Sequence, residues 1–85
     1  GIPADSVDVA IALDHITLAA VEEGLGTCWI GAFHQDEVCR ILKIPPQYKV
    51  VELLTLGYPA ESYSIRTKYR KPLQELVCYE QFSER

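Results

Sequence analysis

The sequence predicts a small α+β domain, and three stretches carry that prediction. Residues 6–23 hold apolar side chains through what reads as one long helix. Residues 48–57 contain a near-continuous apolar run of strand length: Val50, Val51, Leu53, Leu54 and Leu56. Between them lies Gly24-Leu25-Gly26-Thr27-Cys28-Trp29-Ile30-Gly31, with three glycines in eight residues. Glycine reaches positive φ and lets another backbone, or a flat ligand, come close. At 85 residues the chain is one small domain at most. A chain of that size buries only about 60–65% of its unfolded surface and is marginal without help.

The first helix is expected from about Ser6 to Glu23. Asp5 or Ser6 can cap it, and Asp8 favours its first turn. Asp8, His15 and Glu22 form a narrow polar stripe, while Val7, Val9, Ile11, Leu13, Ile16, Leu18, Ala20 and Val21 take most of the remaining circumference. A helix apolar nearly all round is a buried helix. So short a chain has little with which to bury it, so a fragment or an obligate oligomer is expected. Asp14 and Thr17 sit on the apolar flanks and need hydrogen-bond partners there.

Gly24 falls where the helix should stop and reads as its C′ residue. Thr27 to Ala32 should form a short strand. Gly31 would then interrupt a running strand, which suggests a bulge or a close approach to a ligand. His34 to Lys43 reads as a second helix with Val38, Ile41 and Leu42 on one face. Ile44-Pro45-Pro46 ends it, because the residue before proline avoids the α region. Tyr48 to Gly57 is the clearest strand, apolar enough to be buried on both faces at the centre of a sheet. Glu52 interrupts that run and calls for a partner. Ala60 to Thr67 reads as loop, and Pro72 to Val77 as one helical turn before an extended end.

Composition excludes several classes. Net charge is −4, which argues against nucleic acid, whose phosphates call for clustered positive charge. Arg66, Lys68, Arg70 and Lys71 nevertheless gather half of the eight Lys and Arg residues. A local basic cluster in an acidic chain suits one small anion. The apolar N-terminal stretch is broken by Asp8, Asp14, His15 and Thr17, so neither a membrane span nor a signal peptide is expected. Cys28, Cys39 and Cys78 are odd in number and widely spaced, which fits neither a disulfide framework nor a zinc motif. Free thiols point to a reducing cytoplasm. No nucleophile–base pair, paired carboxylates or metal set stands out, so no protein catalytic residue is assigned. A cofactor enzyme would not need one.

Three blocks carry a family resemblance. The run GLGTCWIGAF resembles the flavin-contacting segment of the nitroreductase family, which binds FMN. Leu53-Leu54-Thr55-Leu56-Gly57-Tyr58-Pro59 resembles that family's LLPLGYP strand end. Lys68-Tyr69-Arg70-Lys71-Pro72-Leu73 resembles its K-x-R-x-P-L segment. The blocks come in family order and cover most of residues 7–80, which is the C-terminal half of the family's domain. The resemblance implies part of a three-layer α/β/α sandwich with a mainly antiparallel sheet, over residues 1–85. It further implies an extended basic tail, residues 66–85, that crosses to a partner subunit.

The same resemblance implies a site and an activity. Trp29, Ile30, Gly31 and Ala32 would line the flavin ring, with the Gly31 amide as donor toward N5. Lys68 and Arg70 would hold the FMN phosphate. The family is homodimeric with FMN at the subunit interface, so a second copy, the N-terminal half of the domain, or both are expected as partners. The expected activity passes electrons from NAD(P)H through FMN to a small acceptor such as a nitroaromatic or a quinone. The alternative is an inactive fragment or interaction module that lacks the N-terminal flavin-binding segment. The chain departs from the family pattern at Gly31, where a side chain is frequent, at His34, where Asp is usual, and at Glu52, where a small apolar residue is usual.

Overall fold

A computed structural model of the chain describes residues 1–84. Helix α1 spans Ala4–Glu22, strand β1 Gly26–Ile30, helix α2 Gln35–Leu42, strand β2 Leu53–Gly57 and the single-turn helix α3 Leu73–Leu76. The mixture is α+β, as the patterning predicts.

α1 starts at Ala4 rather than Ser6, and its N-cap is Pro3, with no side-chain cap hydrogen bond. The expectation that Asp5 or Ser6 caps the helix is corrected. Proline holds φ near the helical value, here −58°, so the chain turns into the helix without a side-chain acceptor. At the other end Gly24 adopts φ +73°. The N–H groups of Gly24 and Leu25 donate to the carbonyls of Val21 and Ala20 at 3.1 and 2.8 Å. This is the expected left-handed glycine termination. Thr17 finds its partner inside its own helix, donating to the Asp14 carbonyl at 2.6 Å, a local bond open to any helical threonine.

β1 and β2 pair antiparallel, with Gly26 opposite Gly57 and Ile30 opposite Leu53. The first strand therefore ends at Ile30, and Gly31 and Ala32 belong to the loop before α2. His34 is the N-cap of α2 and makes no side-chain cap bond there. Lys43 closes the helix in the left-handed region at φ 56°, ahead of the two prolines.

The second strand corrects the sequence reading most. Of the run Tyr48–Gly57, only Leu53–Gly57 is strand, and β1 is its one neighbour among the described residues. Leu53 and Leu54 are half-buried and Leu56 is exposed. The upstream residues do not extend the strand because the Val50 backbone is taken by a side chain. Gln35 Oε1 accepts the Val50 N–H at 2.6 Å, and Gln35 Nε2 donates to the Val50 carbonyl at 2.8 Å.

Apolar burial is correspondingly thin. Ala20, 5% exposed, is the one buried hydrophobic among the described residues, while Leu18 and Val21 on α1 stand 65% and 74% exposed. The Cα radius of gyration is 17.4 Å, against about 12 Å for a compact chain of this length. The accessible surface is 8039 Å², against about 5,100 Å² for a folded monomer of this mass. α1 lays one flank along β1 and leaves the rest of its apolar circumference open.

Candidate functional site

Two regions offer binding surface. The first is a hollow of about 760 Å³ between the C-terminal end of α1, the start of β1 and the end of β2. That volume falls within the roughly 300–1,000 Å³ of small-molecule sites. Its wall is largely apolar, with Leu25, Leu56, Tyr58, Tyr63 and Ile65, and Lys68 brings one cation. Gly26 helps shape the wall: a Cβ there would stand 3.3 Å from the Pro59 ring. Sequence reasoning misses Tyr63 and Ile65. They belong to a loop without periodicity, and only the tertiary path brings them to β2.

The second region is the C-terminal end of β1. Trp29 lies opposite Leu54 and Ile30 opposite Leu53. Trp29 is 42% exposed, so part of its side chain is open to a ligand. Gly31 and Ala32 follow as exposed loop backbone. This loop is held by hydrogen bonds on one side and flanked by a carboxylate on the other. The Gln35 amide binds Val50 through the two hydrogen bonds above, and Glu52 reaches across to Gly31. A Cβ on Gly31 would meet Glu52 Oε1 at 3.0 Å. The backbone of Gly31 does not require glycine, because Gly24 alone among the glycines has positive φ. Gly31 neither bulges a strand nor adopts a left-handed turn; it makes room for a carboxylate. The role of Gln35 is invisible in the sequence, since a glutamine in the first turn of a helix carries no spacing signal.

Among the assigned residues, Lys68 lines the hollow, whereas Trp29, Ile30, Gly31, Ala32 and Arg70 lie outside it. One chain therefore does not gather the ring segment and both cations around a single cavity. Lys68 and Arg70 are exposed. The ion pair seen among the described residues is Arg40 with Glu37, at 2.7 Å, so both tail cations keep their charge available for an anion. No group of three or more His, Cys, Asp or Glu side chains among the described residues could hold a metal ion. No described helix is long and apolar enough to cross a membrane.

The available groups suit a flat, phosphorylated cofactor. There is an aromatic face at Trp29, bare main chain at Gly31 and Ala32, and uncommitted cations on the tail. Comparison with known proteins gives the family. Residues 2–58 match the nitroreductase family. Over 62 residues the chain is 39% identical to the Bacillus subtilis protein MhqN, named as a putative NAD(P)H nitroreductase, covering 73% of this chain and 30% of that protein. A nitroreductase family protein of Clostridium difficile superposes with a TM-score of 0.77 at 32% identity, over 91% of this chain and 46% of that one. NfrA1 of Bacillus megaterium superposes with a TM-score of 0.79 at 34% identity, over 91% of this chain and 31% of its own length. The chain thus spans less than half the length of each of these relatives. Its matched span takes in α1, the glycine run, both strands and the loop between β1 and α2, and the chain belongs to the nitroreductase family.

Proposed function

We propose that this chain forms the C-terminal, cofactor-contacting part of an FMN-dependent NAD(P)H oxidoreductase. One observation carries the reading: the family match spans the glycine run, and that run ends at Gly31 and Ala32 in uncovered main chain. FMN, when bound, supplies the acceptance and release of hydride and electrons, so the protein need offer no acid or base. Trp29, Ile30, Gly31 and Ala32 bound the ring. The Gly31 amide is the donor offered to its N5, where a fixed N–H favours developing negative charge. Lys68 and Arg70 hold the phosphate. Alternate residues of an extended segment point the same way, so both heads can serve one anion. The family match ends at Tyr58, so the two cations rest on the K-x-R resemblance and on their showing no ion-pair partner among the described residues.

NAD(P)H and then a nitroaromatic, quinone or similar acceptor use the same open ring face in turn. The exposed apolar circumference of α1 is covered by a second copy, by further domain surface, or by both. The tail from residue 66 onward docks on that partner through Leu73, Leu76, Val77 and Tyr79. The excess of accessible surface over a compact monomer is about 3,000 Å² on this chain alone, at least the roughly 1,000–2,500 Å² that one partner contributes to a permanent interface.

The test is the visible spectrum of the protein purified at its full native length. A flavin absorption band with stoichiometric FMN is expected, and a colourless protein that takes up no added FMN refutes the reading. A second reading, an interaction module without redox activity, draws support from the open core. It predicts a chain that gains its cooperative melt only on binding a partner, with no flavin present.

A further inference from the structure

A carboxylate stands where residue 31 has no side chain. Glu52 Oε1 lies 3.0 Å from the position a Cβ on Gly31 would take, with Cδ and Oε2 both at 3.8 Å. Real Cβ atoms tolerate such closeness only if the neighbour gives way. Because the φ of Gly31 is not positive, conformational freedom does not explain the glycine; a Cβ there would require the Glu52 carboxylate to give way by a few tenths of an ångström. Glu52 is itself anomalous, a charged residue in the apolar run of residues 50–56, half-buried. No hydrogen bond or ion pair of its side chain is seen among the described residues. The Arg40–Glu37 pair lies elsewhere, on α2.

We propose that Glu52 is a positioning residue of the ring-contacting loop. It supplies from the β2 side the bulk that Gly31 lacks, and it sets a negative charge beside the Gly31 amide. Covalent geometry places an amide nitrogen about 2.5 Å from its own Cβ, so the carboxylate lies within about 5.5 Å of the Gly31 nitrogen. The steric half stands on the contact alone. The electrostatic half rests on the proposed contact of Gly31 with the flavin. A carboxylate so placed opposes the negative charge that the amide favours, and so holds the bound flavin at a lower reduction potential.

The test uses four variants of the native-length protein: G31A, E52A, E52Q and G31A/E52A. G31A should weaken FMN binding about tenfold and lower the melting temperature of the FMN-free protein. E52A in the same chain should restore most of both losses, because the two changes share one space. E52Q keeps the volume and removes the charge. It should leave affinity within about threefold of wild type and raise the midpoint potential of the bound flavin. Additive losses in the double variant overturn the shared space. An unchanged potential in E52Q overturns the charge. Failure of the wild type to bind FMN overturns the electrostatic half together with the flavin reading, whereas coupling of G31A with E52A in the FMN-free melt upholds the contact.

Discussion

The segment from Gly26 to Gly57 and the tail beyond it are held in different ways. The first is anchored over long sequence separations. β1 and β2 form a five-residue ladder, Gln35 clasps Val50, and Glu52 abuts Gly31. The tail carries local bonds, such as Tyr63 N–H to the Ala60 carbonyl at 2.9 Å and Glu75 N–H to the Pro72 carbonyl at 3.0 Å. Cys78 Sγ is similarly local, accepting the Ser83 N–H at 3.2 Å. From residue 58 to 84 every side chain is exposed except the half-buried Val77 and Cys78. Loops organised by contacts within their own chain are ready for a ligand, while segments with few such contacts take their order from what they bind. On this comparison the loop before α2 is organised by contacts within its own chain, whereas the segment from residue 58 to 84 has few such contacts.

The contrast can be broken at several points. The largest effect is expected for K68A/R70A. Two charge-assisted bonds contribute about 3 kcal/mol or more together, a loss of about 150-fold in FMN affinity by fluorescence titration. The melting temperature of the cofactor-free protein should stay unchanged, since neither residue is buried. An affinity within error of wild type would remove the tail from the site. Gln35→Ala comes next. It leaves the N–H and C=O of Val50 to water, at a cost of about 0.5–1.5 kcal/mol for each exposed bond lost, and should speed hydrogen exchange at the Val50 amide while the tail amides stay as they were. Gly24→Ala should cost about 1 kcal/mol in thermal unfolding. Nothing lies within 4 Å of a Cβ there, so only the φ of +73° resists the change. Glu37→Ala marks the lower limit. It removes an exposed pair with Arg40 and should move stability by less than about 0.5 kcal/mol.

The regular part of this comparison is legible in the residues, and the reasons are local. The apolar repeat of α1, the glycine after it and the Gly57-Tyr58-Pro59 stop act through backbone preference over a few positions. The cap of α1 is not legible in the same way, because Pro3 starts the helix by its fixed φ although Asp5 and Ser6 are the better side-chain acceptors. The apolar run overstates the length of β2 because hydropathy reports burial and not pairing. Val50 and Val51 are apolar and half-buried, yet the Val50 backbone is already satisfied by a side chain fifteen residues earlier. The meeting of Gly31 with Glu52 lies beyond any window, since the strand register has to exist before the two are neighbours. At the site, the glycine run can be singled out from sequence, but which part of it meets the tail cations cannot: its first half, Gly24 to Cys28, shares the hollow with Lys68, while Trp29 to Gly31 and Arg70 lie outside it.

Gln35 also has a bearing on solubility. An extended backbone with free N–H and C=O groups is a template on which another polypeptide can add itself, the first step of edge-to-edge aggregation. By saturating both groups of Val50, a helical side chain imitates a neighbouring strand and ends the template there.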